Sequence, residues 1–446
     1  MRSLTWACAV ALVFATAAGA QTWEARVTGE HTVTAADTPE AAQSLATIDA
    51  TLKLLKLVAG RATEIAVVKE LKLTDAQLAA YVAGIVEAPD TVATTREKNL
   101  QRASMSVPID LEAAARLISA ARMDGEISRD LIDTWARVES LSSKLAADSR
   151  ALTEAAPAAR ARAAEVRQQT LTRLRVSLLL SQVSAALIHQ ETGTTSIPIV
   201  SPEGLLRARK LAEKAMALDE TNGDAIARMG DVLLAEDKPE EAEPAFREAL
   251  RQDPASASNH NKLGNALYLQ GQMSDATAQF TEAIRLNPSD AISHSDLGDT
   301  LKMQQNVTGA IAEYREAIRL DASYVVARHN LGITLASQQR VPEALAEFQE
   351  AVRIHPTSAR AHYNAAIALA DLEKDEESAK EWREAVRLNP NNFNAHYNAG
   401  EMLRLIGELK ESAKEFREYV NRAPDTPATQ KNKARARTFI EAFEEP

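Results

Sequence analysis

The sequence contains very little cysteine: Cys8 is the single one in 446 residues, and it lies in an apolar stretch at the N-terminus. That stretch combines a basic Arg2, a small and apolar run over residues 4–18 and a small-x-small site, which predict a secretory signal peptide, residues 1–20, cleaved after Ala20. The mature chain would then contain no cysteine, which excludes disulfides, thiolate catalysis and zinc–thiolate sites. We expect an exported bacterial protein that is periplasmic or secreted.

Aromatic residues, glycine and proline are also scarce. Aromatic residues make up 4% of the chain, and glycine and proline number 16 each. So little glycine and proline excludes a collagen-like or low-complexity chain, and the abundance of Ala, Leu, Glu and Arg favours helices. After the signal peptide no stretch reaches the ~18 apolar residues of a membrane-spanning helix. The sequence therefore predicts a mainly α-helical protein with no transmembrane segment after signal removal.

An excess of basic residues is absent as well. The chain has 51 Lys and Arg against 62 Asp and Glu, a net charge of −11, and residues 193–446 carry 30 of the bases and 40 of the acids. A chain without a basic stripe displaces few counterions from phosphates, so nucleic acid is not an expected partner. A basic or neutral protein partner fits this charge balance better.

What dominates the second half of the sequence is a repeat of 34 residues. A glycine or alanine recurs six times at this interval, a small residue follows 12 positions later, and an aromatic residue stands four positions further on. The three sets are Gly230, Gly264, Gly298, Gly332, Ala366 and Gly400; Ala242, Ala276, Ala310, Ala344, Ser378 and Ser412; and Phe246, Phe280, Tyr314, Phe348, Trp382 and Phe416. Small residues allow close helix approach, and each ring fills the wedge between one hairpin and the next. The sequence predicts stacked helical hairpins.

A later alanine and a closing proline complete the pattern, as in Ala283 and Pro288, although the third repeat has Ala322 in place of the proline. This pattern resembles the tetratricopeptide repeat (TPR) over residues 223–424. The resemblance implies a right-handed α-solenoid that binds a protein or peptide partner in a concave groove lined by the first helix of each repeat. Residues 193–222 resemble the second helix of a degenerate preceding repeat, and residues 425–446 resemble a capping helix.

The groove of such a solenoid would be lined partly by the residue two positions before the small residue. In the last three repeats it is asparagine, whose amide both donates and accepts, so that successive asparagines can pair with peptide backbone. The candidate groove residues are Asn330, Asn364, Asn398, His329, Tyr363, Tyr397, Asn261 and Asn265. The asparagines resemble the ladder of some TPR superhelices; the alternative is that asparagine is simply frequent at this position of the repeat. Asp296 and Val326 occupy positions where a dicarboxylate clamp requires Asn and Lys, so that clamp is not expected.

Four histidines share another position of the repeat: His260, His294, His362 and His396. Equivalent positions in stacked hairpins lie about 10 Å apart, which is too far for a shared metal with ligands at ~2.0–2.1 Å. We interpret these histidines as packing residues and expect no metal and no cofactor. The sequence also lacks a glycine-rich phosphate loop, a two-histidine helix motif and a serine nucleophile elbow. We therefore expect a protein that is not an enzyme.

Residues 21–122 have a different composition and predict a small α/β domain. We expect a strand within residues 23–34, a helix over 39–60, two strands over 81–92 and 101–108, and a helix over 110–121. The order strand, helix, two strands loosely resembles the small α/β domain of flagellar assembly protein T and related secreted lipoproteins.

Residues 123–192 predict a helical hairpin broken at Pro157, with Leu131, Val138, Leu145 and Leu152 recurring every seven residues. The hairpin could be a connector that docks on the first repeat, or a dimerising coiled coil; an oligomer is possible but not indicated. The expected function is a non-enzymatic exported scaffold that binds a partner segment in the solenoid groove. The alternative is a structural envelope assembly factor that oligomerises through its hairpin.

Overall fold

A computed structural model describes residues 22–34, 37–86, 92–123, 125–187 and 200–444. The signal peptide predicted for residues 1–20 lies outside the described residues. The described residues up to Pro254 form one compact unit, unit 1, and those from Ala255 onward form a second, unit 2. The boundary falls after the first of the six repeats.

Unit 1 begins with a strand and a long helix and then becomes mostly helical. Its elements are β1 (Thr22–Thr32), α1 (Pro39–Ala62), α2 (Ala66–Glu70), α3 (Asp75–Ile85), β2 (Ala93–Glu97), β3 (Leu100–Asp110), α4 (Leu111–Met123), α5 (Gly125–Glu154), α6 (Arg160–Ala186), α7 (Pro202–Leu218), α8 (Gly223–Ala235) and α9 (Pro239–Gln252). The predicted first strand, the helix over 39–60, the strand over 101–108 and the helix over 110–121 are confirmed.

The three strands form an antiparallel sheet in the order β1-β3-β2, with Val27 opposite Met105. Along β3 the side chains alternate, with Ala103 and Met105 buried and Ser104 exposed, so one face of the sheet belongs to the core. Helix α1 packs on this sheet at Gly29, where an added Cβ would lie 2.1 Å from the Ala46 carbonyl oxygen. Glycine is therefore required by the close approach of helix and strand.

The strand predicted over residues 81–92 is wrong for residues 81–85, and residues 87–91 lie outside the described residues. Helix α3 covers Asp75–Ile85, and its start carries a capping box in which the Thr74 hydroxyl accepts from the Gln77 amide while the Gln77 side chain accepts from Thr74. Tyr81, Val82 and Ala83 are buried, and a short run that is apolar on every side suits a buried helix as well as a buried strand. The second strand is instead β2.

Helices α5 and α6 form the predicted hairpin, separated by a short 3₁₀ turn at Pro157–Ala159. The heptad side chains Leu131, Val138, Leu145 and Leu152 are all buried. The first three belong to one apolar core that also includes residues of β1, β3, α1, α3 and α4. The heptad face is thus covered within unit 1. Helix α7 packs along α6, as predicted for a degenerate repeat.

Unit 2 contains the second to sixth repeats and a final helix. Its helices are α10 (Ala257–Leu269), α11 (Met273–Leu286), α12 (Ala291–Met303), α13 (Val307–Leu320), α14 (Val325–Ser337), α15 (Val341–Ile354), α16 (Ala359–Asp371), α17 (Asp375–Leu388), α18 (Phe393–Leu405), α19 (Leu409–Arg422) and α20 (Pro427–Glu444). Each repeat is a hairpin with a first helix of 13 residues and a second helix of 14. The predicted solenoid of hairpins is confirmed.

Within each hairpin the small residue of the first helix lies against the aromatic ring of the second. A Cβ added to Gly332 would lie 2.4 Å from Phe348, and one added to Gly264 would lie 2.6 Å from Phe280. The Phe348 ring also shares a buried cluster with Ala365 of the next repeat. The glycine thus accommodates the ring of its own repeat, and the ring joins that repeat to the next.

Candidate partner-binding surface

Side-chain hydrogen bonds join the first helices of successive repeats in unit 2. Asn261 of α10 donates to Asp296 of α12 at 2.8 Å, and Asn330 of α14 donates back to Asp299 of α12 at 2.9 Å. Similar bonds connect α16 to α14 and α18 to α16. We call these five helices, α10, α12, α14, α16 and α18, the first-helix wall.

The three predicted ladder asparagines are half-buried members of this wall, and each one bonds to the preceding repeat. Asn330 Nδ2 donates to the Asp299 carboxylate, Asn364 Nδ2 donates to His329 Nδ1 at 3.2 Å, and Asn398 bonds to the hydroxyl of Tyr363. An amide has two N–H donors and an acceptor oxygen, so one such bond leaves further pairing capacity. The asparagines therefore have a structural role in linking the repeats.

Two of the predicted groove residues do not lie on the surface. His329 is 3% exposed and Asn261 is 0% exposed, because both side chains point into the contact between neighbouring first helices. Burial, together with the positive Arg360 and with His355, lowers the pKa of His329 to about 3, so its ring is neutral and accepts from Asn364. The expectation that these two side chains offer contact area to a partner is wrong.

The other candidates are partly accessible. Tyr363, Tyr397 and Asn265 are half-buried. The Tyr363 ring packs edge-on against Trp382 with centroids 4.9 Å apart, and Tyr397 packs against Phe416 at 5.8 Å. Each tyrosine ring is thus supported by an aromatic ring of its own hairpin.

Among the exposed apolar residues of the wall, two that lie beside the ladder asparagines are missing from the candidates. Ile333 is 41% exposed and Ile367 is 38% exposed, and each stands three residues after a ladder asparagine, hence on the same helix face. In the flanking repeats this position holds Asp299 and Glu401, which pair with Lys302 at 3.1 Å and Arg404 at 2.9 Å. The wall therefore has an apolar centre between two ion pairs. These two isoleucines were readable from the sequence, because each directly follows the small residue of its repeat, Gly332 or Ala366.

Asp299 also explains the one tyrosine among the ring positions that otherwise hold Phe or Trp. The Tyr314 hydroxyl donates to Asp299 Oδ1 at 2.6 Å, so Asp299 accepts from Tyr314, Asn330 and Lys302. Burial and the nearby Asp299 carboxylate raise the pKa of Tyr314, which stays protonated. A buried hydroxyl needs such a partner, whereas the Phe rings of other repeats do not.

In unit 1 the first repeat has Arg228 at the position of the ladder asparagines, and this side chain is paired with another helix of the same unit. Arg228 of α8 forms an ion pair with Asp130 of α5 and another with Asp231 at 2.8 Å. Burial opposes its charge, but the two carboxylates outweigh burial and raise the pKa of Arg228. Helix α5 thus occupies this position of α8 within unit 1.

Within the described ranges, no group of three or more His, Cys, Asp or Glu side chains is arranged to hold a metal ion. Across the same part of the chain, every helix is too short or too polar to span a bilayer.

Tetratricopeptide-repeat family models match residues 227–291, 262–325, 295–359 and 329–382, and a further TPR model matches residues 368–407. With the hairpins described above, these matches show that residues 227–407 consist of tetratricopeptide repeats. No curated protein matches the sequence.

Several solved structures are similar to part of this chain at low sequence identity. YrrB, described as a TPR protein with an unusual peptide-binding site, is 23% identical, with the match covering 41% of this chain and 95% of YrrB at a TM-score of 0.33. PilF of Pseudomonas aeruginosa is 18% identical, covering 49% and 98% at a TM-score of 0.43. A TPR protein of Parabacteroides merdae is 14% identical, covering 53% and 93% at a TM-score of 0.39.

Proposed function

We propose that this protein is an exported, non-enzymatic scaffold that binds an extended segment of a partner protein on the first-helix wall of unit 2. TPR proteins are generally protein-interaction scaffolds. That this chain binds an extended segment of its partner is the more specific part of the proposal. The observation that carries the proposal is the pair Ile333 and Ile367, exposed on adjacent first helices beside half-buried Asn330 and Asn364. Apolar contacts would supply affinity and the amides would pair with backbone.

Replacing both isoleucines by lysine tests the wall directly. The double variant Ile333→Lys/Ile367→Lys is expected to reduce partner capture at least about tenfold, since each lysine puts a charge that must be desolvated at the apolar centre. The lysine stem still covers the helix surface, so helicity and melting temperature should stay close to those of the wild type. The measurement is affinity purification of the mature chain from its own envelope, with bound proteins quantified by mass spectrometry.

A matched control is Leu409→Lys, which changes a residue that is 42% exposed at the start of a second helix. It should capture the same partners as the wild type. Equal capture by all three proteins would reject the wall as the binding surface.

The three asparagines provide a second, weaker test. Replacing Asn330, Asn364 and Asn398 by alanine removes one hydrogen bond to the preceding repeat in each case, which is worth about 0.5–1.5 kcal/mol per bond. We therefore expect a lower melting temperature together with weaker capture. Weaker capture at unchanged stability would mean that the amides bind the partner and contribute nothing to the links between repeats.

Export rests on the apolar N-terminal stretch alone. We expect the mature protein recovered from the envelope or medium to begin at Gln21, as measured by N-terminal sequencing. A chain that still begins at Met1 would contradict export by a cleaved signal. No observation favours the alternative of an assembly factor that oligomerises through its hairpin, because the heptad residues are buried inside unit 1.

A further inference from the structure

An imidazole–carboxylate pair joins the two helices of three repeats in unit 2. In each, a histidine of the first helix meets a glutamate 19 residues later, at 2.6–2.7 Å between Nδ1 and Oε2. The pairs are His294 with Glu313, His362 with Glu381, and His396 with Glu415. The three histidine side chains are 4–10% exposed. These histidines thus fasten the first helix to the second.

The other ring nitrogen of each histidine faces a backbone carbonyl six residues earlier. His362 Nε2 lies 3.0 Å from the Pro356 oxygen and His396 Nε2 lies 2.8 Å from the Pro390 oxygen, while His294 bonds to the Pro288 carbonyl. A carbonyl and an ionised carboxylate only accept, and a neutral imidazole has one N–H. The two contacts can therefore both be hydrogen bonds only when two protons are present. Both protons belong to the imidazole ring, because histidine is more basic than glutamate. We call this three-part arrangement a histidine clasp.

The fourth repeat contains the same arrangement with a permanent cation. Arg328 replaces the histidine; its guanidinium donates to Glu347 at 2.8 Å and to the Ala322 carbonyl at 2.9 Å. Because arginine fills the same two contacts, this position of the repeat accommodates a charged donor. The second repeat has a neutral variant, in which His260 Nδ1 lies 2.8 Å from the side-chain oxygen of Gln279. The same contact thus occurs as histidine with a carboxylate, as arginine with a carboxylate and as histidine with an amide.

The charged surroundings favour the imidazolium form. The hydrogen bond to Glu313 is the main cause that raises the pKa of His294, against burial, and Glu316 of the same helix adds to it. Burial acts against the charge of His362, but Glu381, the Pro356 carbonyl and Glu384 outweigh it and raise its pKa. The more distant glutamates pair in turn with Arg319 and Arg387. The groups facing His396 are Glu415 and the Pro390 carbonyl.

We propose that the clasps of His294 and His362 make the first-helix wall responsive to pH: they fasten α12 and α16 when both ring nitrogens are protonated, and the attachment weakens as the rings lose a proton. The clasp histidines directly precede wall residues: Tyr363 and Asn364 follow His362, and Tyr397 and Asn398 follow His396. Losing either ring proton would leave a lone pair facing an oxygen, so the clasp would keep one of its two hydrogen bonds and the attachment of the first helix would weaken. The pH-dependent stability is independent of the proposed function; an effect on partner binding would rest on it.

The direction follows from linkage. A histidine whose pKa is raised on folding contributes stability that is complete below its unfolded pKa of about 6.5 and is lost as pH rises through the higher folded pKa. Unit 2 should therefore be more stable near pH 6 than near pH 8. Arg328 keeps its charge over this range, so the fourth repeat should remain fastened.

Ring ¹⁵N chemical shifts of the full chain test the protonation state. At pH 6.5 we expect His294 and His362 to have both ring nitrogens protonated, and selective loss of these signals in His294→Gln and His362→Gln assigns them. Singly protonated rings at both positions would overturn the proposal, whatever the protein binds.

Melting curves at pH 6 and pH 8 test the consequence with two designed variants. The wild-type transition of unit 2 should fall by about 5 °C between these pH values. The variant His294→Arg/His362→Arg/His396→Arg copies Arg328 and should show less than half of that shift. The variant Glu313→Gln/Glu381→Gln/Glu415→Gln copies the His260–Gln279 pair. At both pH values it should melt near the temperature at which the wild type melts at pH 8. An equal shift in all three proteins would overturn the proposal, and if the arginine variant does not fold, the glutamine variant decides.

Discussion

Replacing Gly29 by alanine is expected to detach helix α1 from the sheet of unit 1 and to lower the free energy of unfolding by more than about 4 kcal/mol. The added Cβ would lie 2.1 Å from the Ala46 oxygen and 2.2 Å from the Ala50 nitrogen, and both are backbone atoms that no side-chain rotation can move. The helix as a whole must shift, which exposes buried Ile48 and Leu54. Urea denaturation of the full chain, followed by the fluorescence of buried Trp23, measures the loss.

Gly60 supplies the matched control for this substitution. Gly60 lies in helix α1, which packs against Gly29 of β1, and an added Cβ at Gly60 would meet nothing within 4 Å. Gly60→Ala should stabilise the helix by roughly 0.5–1 kcal/mol, because alanine loses less backbone freedom than glycine. Two identical chemical changes in one unit are thus expected to have opposite signs. Wild-type stability for Gly29→Ala would mean that the helix and strand are not in close contact at this point.

The repeats could be predicted because their period is a property of the sequence alone. Small and aromatic residues recur at one spacing, and only a hairpin with a ring packed near a small residue explains that spacing. The structure adds which glycine meets which ring: Gly332 faces Phe348 of its own hairpin. Periodicity gives the positions that must be small, but the partner of each depends on how the hairpins pack.

Helix α3 shows where pattern reasoning failed in unit 1. Residues 81–86 are apolar without alternation, so periodicity could not separate a buried helix from a buried strand. The decisive signal was local and earlier, in the Thr74 and Gln77 capping box that starts the helix. Start signals deserve as much weight as the apolar run when that run is short.

The candidate site was harder to predict because its geometry depends on pairs of residues in different repeats. Asparagine at one position suggested a binding ladder, but Asn330 and Asn364 bond to Asp299 and His329 of the preceding repeats. Comparing one position down the repeats cannot reveal such a bond. Pairing two positions could: the glutamates that stand 19 residues after His294, His362 and His396 were readable from the sequence and identify the clasps.

Replacing Phe348 by alanine is expected to cost about 3–5 kcal/mol and to reduce the stability of repeats on both sides of α15. The ring is 3% exposed and lies in a buried cluster with Leu331, Leu345 and Leu369, which belong to two neighbouring repeats. In a repeat stack each hairpin is stabilised mainly by its neighbours, so a cavity in the middle weakens both contacts. Amide hydrogen exchange should show lost protection in α14, α15 and α16.

Phe443→Ala is the matched control, since that ring is 40% exposed on α20 and the same deletion there should cost under about 1 kcal/mol.

Gly332 allows a stricter test. Gly332→Ala alone should destabilise unit 2, because its Cβ would lie 2.4 Å from the Phe348 ring, but in the Phe348→Ala background the new methyl enters the cavity. The double variant should therefore be more stable than the sum of the two single effects, by an interaction energy on the order of 1–3 kcal/mol. Strict additivity would mean that the glycine and the ring do not contact each other, and the packing of the repeats would then need a different explanation.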